Sequence, residues 1–170
     1  HPLQSTELVM RVIYEGAIFE IMSDGGVARY FAEIVKRMPD DVQPVVAAPS
    51  GFQFPTFHPR LSVRNLNTQA PRKFLRGRWR KSQHGVIAEQ MEGFAGDLTH
   101  WTYYTGLCRR PILRSRSANV ITVLDFVHEA FPDQDPKGRH RHWQQQAIKA
   151  ADHICCISQT TFDELCNRYP

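Results

Sequence analysis

Met10-Arg11-Val12-Ile13-Tyr14, followed after a polar stretch by Gly25-Gly26-Val27-Ala28-Arg29-Tyr30-Phe31, decides the fold of this chain. The first five residues make an apolar run of the kind a strand buried on both faces carries. Beyond the glycines, Val27, Tyr30, Phe31, Ile34, Val35 and Met38 recur at i, i+3, i+4, i+7, i+8 and i+11, which is one face of a helix. Asp24 stands where it can cap that helix. Arg29, Glu33 and Arg37 line its other face at i, i+4 spacing, and Pro39-Asp40 stops it. Strand, glycine turn and helix in this order open a βαβ unit.

The same alternation continues down the chain. Residues 42–48 form a second β-rich run closed by Pro49-Ser50-Gly51, and 61–66 a weaker third in which apolar and polar residues alternate. The link between them is too rich in proline for a helix. A helix is expected at 84–94, then a fourth strand at 97–101, a fifth at 119–124, a polar helix at 137–151 and a sixth strand at 153–157. Ser158 is placed to cap a last helix carrying Phe162, Leu165, Cys166 and Tyr169 on one side. Nearly all-apolar strands alternating with helices predict an α/β fold. The expected architecture is a doubly wound, mostly parallel, Rossmann-like sheet with helices on both faces and strand order 3-2-1-4-5-6. Its topological switch falls between the first and fourth strands, and ligands are expected beyond the carboxyl ends of the strands. The lips of that crevice are residues 15–26, 102–106, 125–132 and Ser158.

At 170 residues, 42% hydrophobic and 22% charged, the chain has the size and composition of one ordinary domain with its own apolar core. That domain is expected at 10–170. Met10 reads as the native start, with residues 1–9 an appended remainder or disordered extension. No apolar run is long enough to span a bilayer and no signal-peptide pattern opens the sequence, so a cytoplasmic location is expected. Cys108, Cys155, Cys156 and Cys166 lack zinc-site spacing. They are read as reduced, with Cys155 and Cys156 as packing residues of a strand, and no metal is expected.

The net charge of +4 is concentrated in two stretches. Arg72, Lys73, Arg76, Arg78, Arg80 and Lys81, interrupted by Phe74, Leu75 and Trp79, form the first, and Arg109, Arg110, Arg114 and Arg116 the second. Both read as loops, either solvated surface or a peripheral contact with an anionic membrane at headgroup level. No recognised nucleic-acid motif accompanies the charge, so a nucleic-acid partner is not expected.

Three groups of residues carry candidate chemistry. Gly25 and Gly26 at a helix N-terminus let backbone amides approach a phosphate, although a tight turn would use them equally well. Neither G-x-G-x-x-G after the first strand nor G-x-x-x-x-G-K-[ST] is present, which excludes a standard dinucleotide site and a P-loop. His100-Trp101-Thr102-Tyr103-Tyr104 puts an imidazole and aromatic faces suited to a sugar ring at the end of the fourth strand. Two adjacent tyrosines on a strand cannot both point inward, so at least one is expected to face the crevice. Asp125, His128 and Glu129 follow the fifth strand and could take or position the proton of an attacking hydroxyl. Their structural alternative is a capping Asp and a solvated His-Glu pair.

Gly25 to Phe31, residues 97–104, Val120-Ile121-Thr122-Val123-Leu124-Asp125-Phe126-Val127-His128-Glu129-Ala130-Phe131-Pro132 and Ala150-Ala151-Asp152-His153-Ile154-Cys155-Cys156-Ile157-Ser158 together resemble the N-terminal half of a family 4 glycosyltransferase. The resemblance implies a retaining enzyme of the GT-B fold, in which two Rossmann-like domains face each other across a cleft. It implies that this chain is the acceptor-side half. The C-terminal domain, which would hold the nucleotide sugar through an E-x7-E glutamate pair, is then absent. Glu7 and Glu15 have that spacing but bracket the first strand, so they are not the motif. By resemblance, Gly25 and Gly26 match the glycine loop near the donor phosphates and Asp125 matches the aspartate of a His-Asp pair. Leu124 stands where the histidine of that pair often is. Related work then falls to His128 or His100, or the donor phosphate serves as the base.

The expectation is therefore a parent enzyme that transfers a hexose from a nucleotide sugar to a saccharide or lipid-linked acceptor in bacterial surface polysaccharide synthesis, at the inner face of the membrane. Asp125 and His128 would be catalytic, and Gly25 and Gly26 would hold the donor phosphates. His100, Tyr103, Tyr104, Glu129 and Ser158 would bind acceptor, with no cofactor beyond the donor and no turnover by the isolated chain. The competing readings are a non-catalytic sugar-binding module and, less well supported, a basic nucleic-acid-binding domain.

Overall fold

A computed structural model describes residues 9–49, 52–66, 91, 94, 96–108 and 117–170. Its strands are β1 (Met10–Glu15), β2 (Val42–Pro49), β3 (Ser62–Leu66), β4 (Leu98–Trp101), β5 (Ala118–Val123) and β6 (His153–Cys156). The helices are α1 (Ala17–Ile21), α2 (Gly26–Lys36), α3 (Thr105–Cys108), α4 (Val127–Ala130), α5 (Arg139–Ala150) and α6 (Gln159–Arg168), with a 3-10 turn at Pro132–Gln134. The six strands form one sheet in the order β3-β2-β1-β4-β5-β6. Every neighbouring pair is parallel. This is the Rossmann-like α/β topology expected from the alternation of strands and helices, with the switch point between β1 and β4.

Register explains how the apolar runs divide between the two faces. Tyr14 lies opposite Val46 on β2 and His100 on β4, so these three share one face. There Val12, Tyr14, Val46 and Ala48 pack against Ala28, Phe31 and Val35 of α2. The alternate residues Ile13, Val45, Ala47 and Leu66 face the other way, with Met91 and Phe94 against them. On β4 and β5, Trp101, Ile121 and Val123 pack under Ala147 and Ile148 of α5. A strand covered on both sides must be apolar at successive positions, which is why β1 shows no alternation in sequence.

Polar residues at the strand starts fix the register from the other end. The Arg11 amide donates to Asp97 Oδ2 at 2.7 Å, and the Asn119 amide donates to Asp152 Oδ2 at 2.7 Å. The bonds from Asn119 hold the Asp152 carboxyl below the usual carboxylate range.

Several local expectations are corrected. Asp24 does not cap α2. The N-cap is Gly25 in an extended conformation with no side-chain cap, because the turn reaches the helix one residue later than the sequence suggests. Residues 15–26 are not simply a loop, since they contain α1, whose Ala17, Ile18 and Phe19 are buried. Five residues are too few to show a helical period. Gly16 before it passes so close to β2 that a Cβ there would overlap the Ala47 carbonyl oxygen. Cys155 is exposed and Cys156 half-buried, because β6 is the edge of the sheet. On α6 only part of the expected apolar side is covered. Leu165 and Tyr169 pack inward while Phe162 is exposed, and Thr161 is the buried residue. The helix expected at 84–94 lies outside the described residues apart from Met91 and Phe94, as do the basic stretches 72–81 and 109–116. Among the described residues no helix is long and apolar enough to cross a membrane.

Candidate functional site

The carboxyl ends of β1 and β4 are tied together at the switch point. The Thr102 hydroxyl donates to the Glu15 carbonyl at 2.5 Å, and the Ile18 amide donates to Thr102 Oγ1 at 3.3 Å. Gly25 and Gly26 stand at the head of α2. A Cβ on Gly26 would meet nothing within 4 Å, whereas one on Gly25 would come within 3.1 Å of the Met22 Cβ. The backbone at Gly26 is therefore open to approach, and the amides of the first turn of an eleven-residue helix point the same way.

A second group gathers beyond β4 and β5. The chain leaves β4 at Trp101, so Tyr103 and Tyr104 are not strand residues and the period-two alternation expected of them does not apply. Their rings lie 5.9 Å apart, and both present to His140 on α5, at 6.0 Å from Tyr103 and 5.5 Å from Tyr104. Tyr104 is buried and Tyr103 is partly open. His128 on α4 completes the cluster, its ring centroid 4.0 Å from that of His140. Burial raises the phenol pKa of both tyrosines, so they remain neutral hydrogen-bonding groups.

Asp125 is exposed in the turn between β5 and α4, where its Oδ1 accepts from the Val127 amide at 3.1 Å. Beneath it, Gln144 of α5 donates to the Asp125 carbonyl oxygen at 2.7 Å and sits 3.4 Å from the Tyr104 hydroxyl. Gln144 is 1% exposed, so the loop bearing Asp125 rests on a fixed floor. Asp135 plays the matching part for α5. Its carboxyl accepts from the amides of Arg139 and Arg141, both at 3.0 Å, and those amides, Arg141 foremost, hold its pKa below the usual range.

The other residues nominated from sequence sit elsewhere or are already engaged. His100 is 7% exposed beneath α2, stacked on Tyr14 at 5.4 Å and edge-on to Phe31 at 5.2 Å, with Thr122 Oγ1 2.9 Å from its Nε2. Burial lowers its pKa to about 4. Alternation along β4 turns it into the interlayer core rather than toward the lip. Glu129 accepts from Tyr169 and Arg168, and Ser158 caps α6 by accepting from the Thr161 amide at 3.1 Å. The structure thus brings Tyr103, Tyr104 and His128 together, with Asp125 anchored alongside through Gln144, and uses His100, Glu129 and Ser158 to hold elements in place.

His140 and Gln144 escaped the sequence reading. Both lie in the polar helix expected at 137–151, whose inner face is marked in sequence by Ala147 and Ile148 but where the buried Gln144 carries no hydropathy signal. Among the described residues no three His, Cys, Asp or Glu side chains converge as the ligands of a metal ion would.

A parallel α/β sheet in this strand order leaves a crevice past the carboxyl ends of its strands, where doubly wound folds bind their ligands. The family model described as Glycosyltransferase Family 4 matches residues 24–170, and the chain belongs to that family. Its fold and family make it a glycosyltransferase domain. No curated protein matched the chain.

Proposed function

We propose that residues 10–170 are the acceptor-side domain of a retaining glycosyltransferase of the GT-B type. The parent enzyme transfers a hexose from a nucleotide sugar to a saccharide or lipid-linked acceptor in bacterial surface polysaccharide synthesis, at the inner face of the cell membrane. A second, C-terminal Rossmann-like domain holds the donor, and turnover requires both. The reaction uses no metal or further cofactor.

The observation that carries this reading is the cluster beyond β4 and β5 in a chain of this family: an exposed, anchored Asp125, an imidazole at His128 and the partly open ring of Tyr103. In the transfer, the bond from the anomeric carbon to the departing nucleoside diphosphate breaks. A bond to the acceptor oxygen forms on the same face of the sugar. The hydroxyl proton passes to the departing phosphate or to a side-chain base. Asp125 and His128 orient the acceptor hydroxyl and its proton, and Tyr103 offers its ring to the acceptor sugar. The open backbone at Gly26 faces the donor phosphates, with Gly25, whose amide donates to the Met22 carbonyl at 3.0 Å, shaping the turn before it. Leu124 in place of the family's frequent histidine leaves this work to Asp125, His128 and the donor's own phosphate.

The test follows turnover of UDP-, GDP- and ADP-sugars by the two-domain parent and by this chain alone, with and without lipid-linked acceptor. Selective transfer by the parent alone, abolished or strongly reduced in Asp125→Asn, is the expected result. Transfer at the wild-type rate in Asp125→Asn removes the site assignment. Sugar binding without turnover by the parent moves the chain to the class of sugar-binding modules.

A further inference from the structure

We propose that His140 is a positioning residue for His128: its imidazole, laid against the His128 ring and wedged by the edges of Tyr103 and Tyr104, fixes the orientation in which His128 meets the acceptor. The inference rests on the role given to His128 above and adds the group that sets its geometry.

The backbone beneath His140 is rigidly started. Gly138 takes a left-handed φ of 59° ahead of α5, and Asp135 accepts from the amides on either side of His140. From that anchored position the His140 ring meets Tyr103 at an interplanar angle of 69° and Tyr104 at 83°, edge-to-face contacts of the favoured kind. Among the described residues the remaining ring contact is His128, at 4.0 Å between centroids and a tilt of 46°. The Nδ1 atoms of His128 and His140 are both buried and have no hydrogen-bond partner among the described residues. Nδ1 of neither ring is held by a hydrogen bond among the described residues, and the ring of His140 is the packing surface against which His128 lies.

That surface holds only while His140 is neutral. Protonation would place an N–H donor in a buried position without an acceptor and a cation against a second imidazole. The groups facing the pair are Tyr103 and Tyr104 from the turn after β4, Asp125 from the turn after β5, and Asp135 ahead of α5. Burial lowers the His140 pKa and the proximity of His128 lowers it further, against weaker opposing pulls from Asp135 and Asp125. Acid is then expected to release the clamp, and a ring that cannot titrate at position 140 should be immune to that loss.

The test uses His140→Ala and His140→Phe in the two-domain enzyme, with a proton NMR titration of the histidines of this chain. His140→Ala is expected to lower kcat by about tenfold to a hundredfold with little change in KM, the cost of a misaligned catalytic group. His140→Phe is expected to restore most of that kcat and to extend activity to lower pH. In the titration, His128→Phe should raise the midpoint of His140, because one of the influences lowering it is gone. Wild-type kcat in His140→Ala overturns the proposal, as does an acid limb left unmoved by His140→Phe. An unshifted His140 midpoint overturns the pair alone and leaves the functional reading standing. Absence of transfer by the wild-type parent overturns that reading and the role of His128 with it.

Discussion

Tyr169 donates its hydroxyl to Oε1 of Glu129 at 2.6 Å, joining the end of α6 to α4 across 40 residues of sequence. Arg168 reaches the other carboxylate oxygen at 3.2 Å and lies over the Phe126 ring, so a single glutamate anchors the last residue of α6 and its C-cap. The Glu129 side chain is 11% exposed, which shields these bonds from water. Glu129→Ala is expected to destabilise the chain by about 1–3 kcal/mol, the usual cost of stranding partly buried partners of a charged acceptor. Glu129→Gln keeps an acceptor for Tyr169 and should lose less. Urea unfolding of the two variants measures both, and a larger loss in Gln than in Ala would contradict the arrangement.

Gly16 and Gly26 should respond oppositely to the same substitution. A Cβ at Gly16 would sit 1.9 Å from the Ala47 carbonyl oxygen, a backbone atom of the central sheet that cannot step aside. Gly16→Ala is expected to cost about 3 kcal/mol through overpacking. At Gly26 nothing lies within 4 Å, and Gly26→Ala should leave stability unchanged or raise it by about 0.4–1 kcal/mol. If the amides there face donor phosphates as proposed, transfer falls in Gly26→Ala while Tm does not.

The buried His100 makes the fold acid-sensitive. Its pKa is about 4 in the folded chain against 6.5 as the ordinary value, so the unfolded state binds the extra proton first. The stability associated with its neutral form is complete above pH 6.5 and is lost as pH falls toward 4, by roughly 3 kcal/mol in total. The difference in unfolding free energy between wild type and His100→Gln, measured from pH 7.5 to 4, should narrow across that window. A difference independent of pH would show that His100 titrates the same way folded and unfolded.

Gln144 supports the Asp125 turn from below, and Gln144→Leu removes the donor to the Asp125 carbonyl while preserving bulk. The expected loss is about 1–3 kcal/mol from the stranded carbonyl. In the two-domain enzyme kcat should fall more than KM rises, because the substitution displaces the loop bearing the proposed catalytic carboxylate. Equal stability and equal kcat would assign Gln144 no part in holding Asp125.

What the sequence determined by itself was the order and kind of the elements. Val27 to Met38 announced α2 by their spacing, the unbroken apolar run at β1 announced a strand covered on both faces, and alternation of the two types led to β3-β2-β1-β4-β5-β6. These signals are local, since hydrophobic periodicity is written in consecutive residues and parallel strands need crossovers. The sequence also marked the ends of β4 and β5 as the places to look. Only the tertiary structure decided what the polar groups there do. His100 turned inward under α2, Glu129 went to Tyr169, and His140, unmarked in a polar helix, came to lie against His128, whereas the cap at Ser158 was already legible in the sequence. A polar side chain's role depends on which partner reaches it first, and partners such as Glu129 and Tyr169, 40 residues apart, meet only when helices from different crossovers settle on the same edge of the sheet.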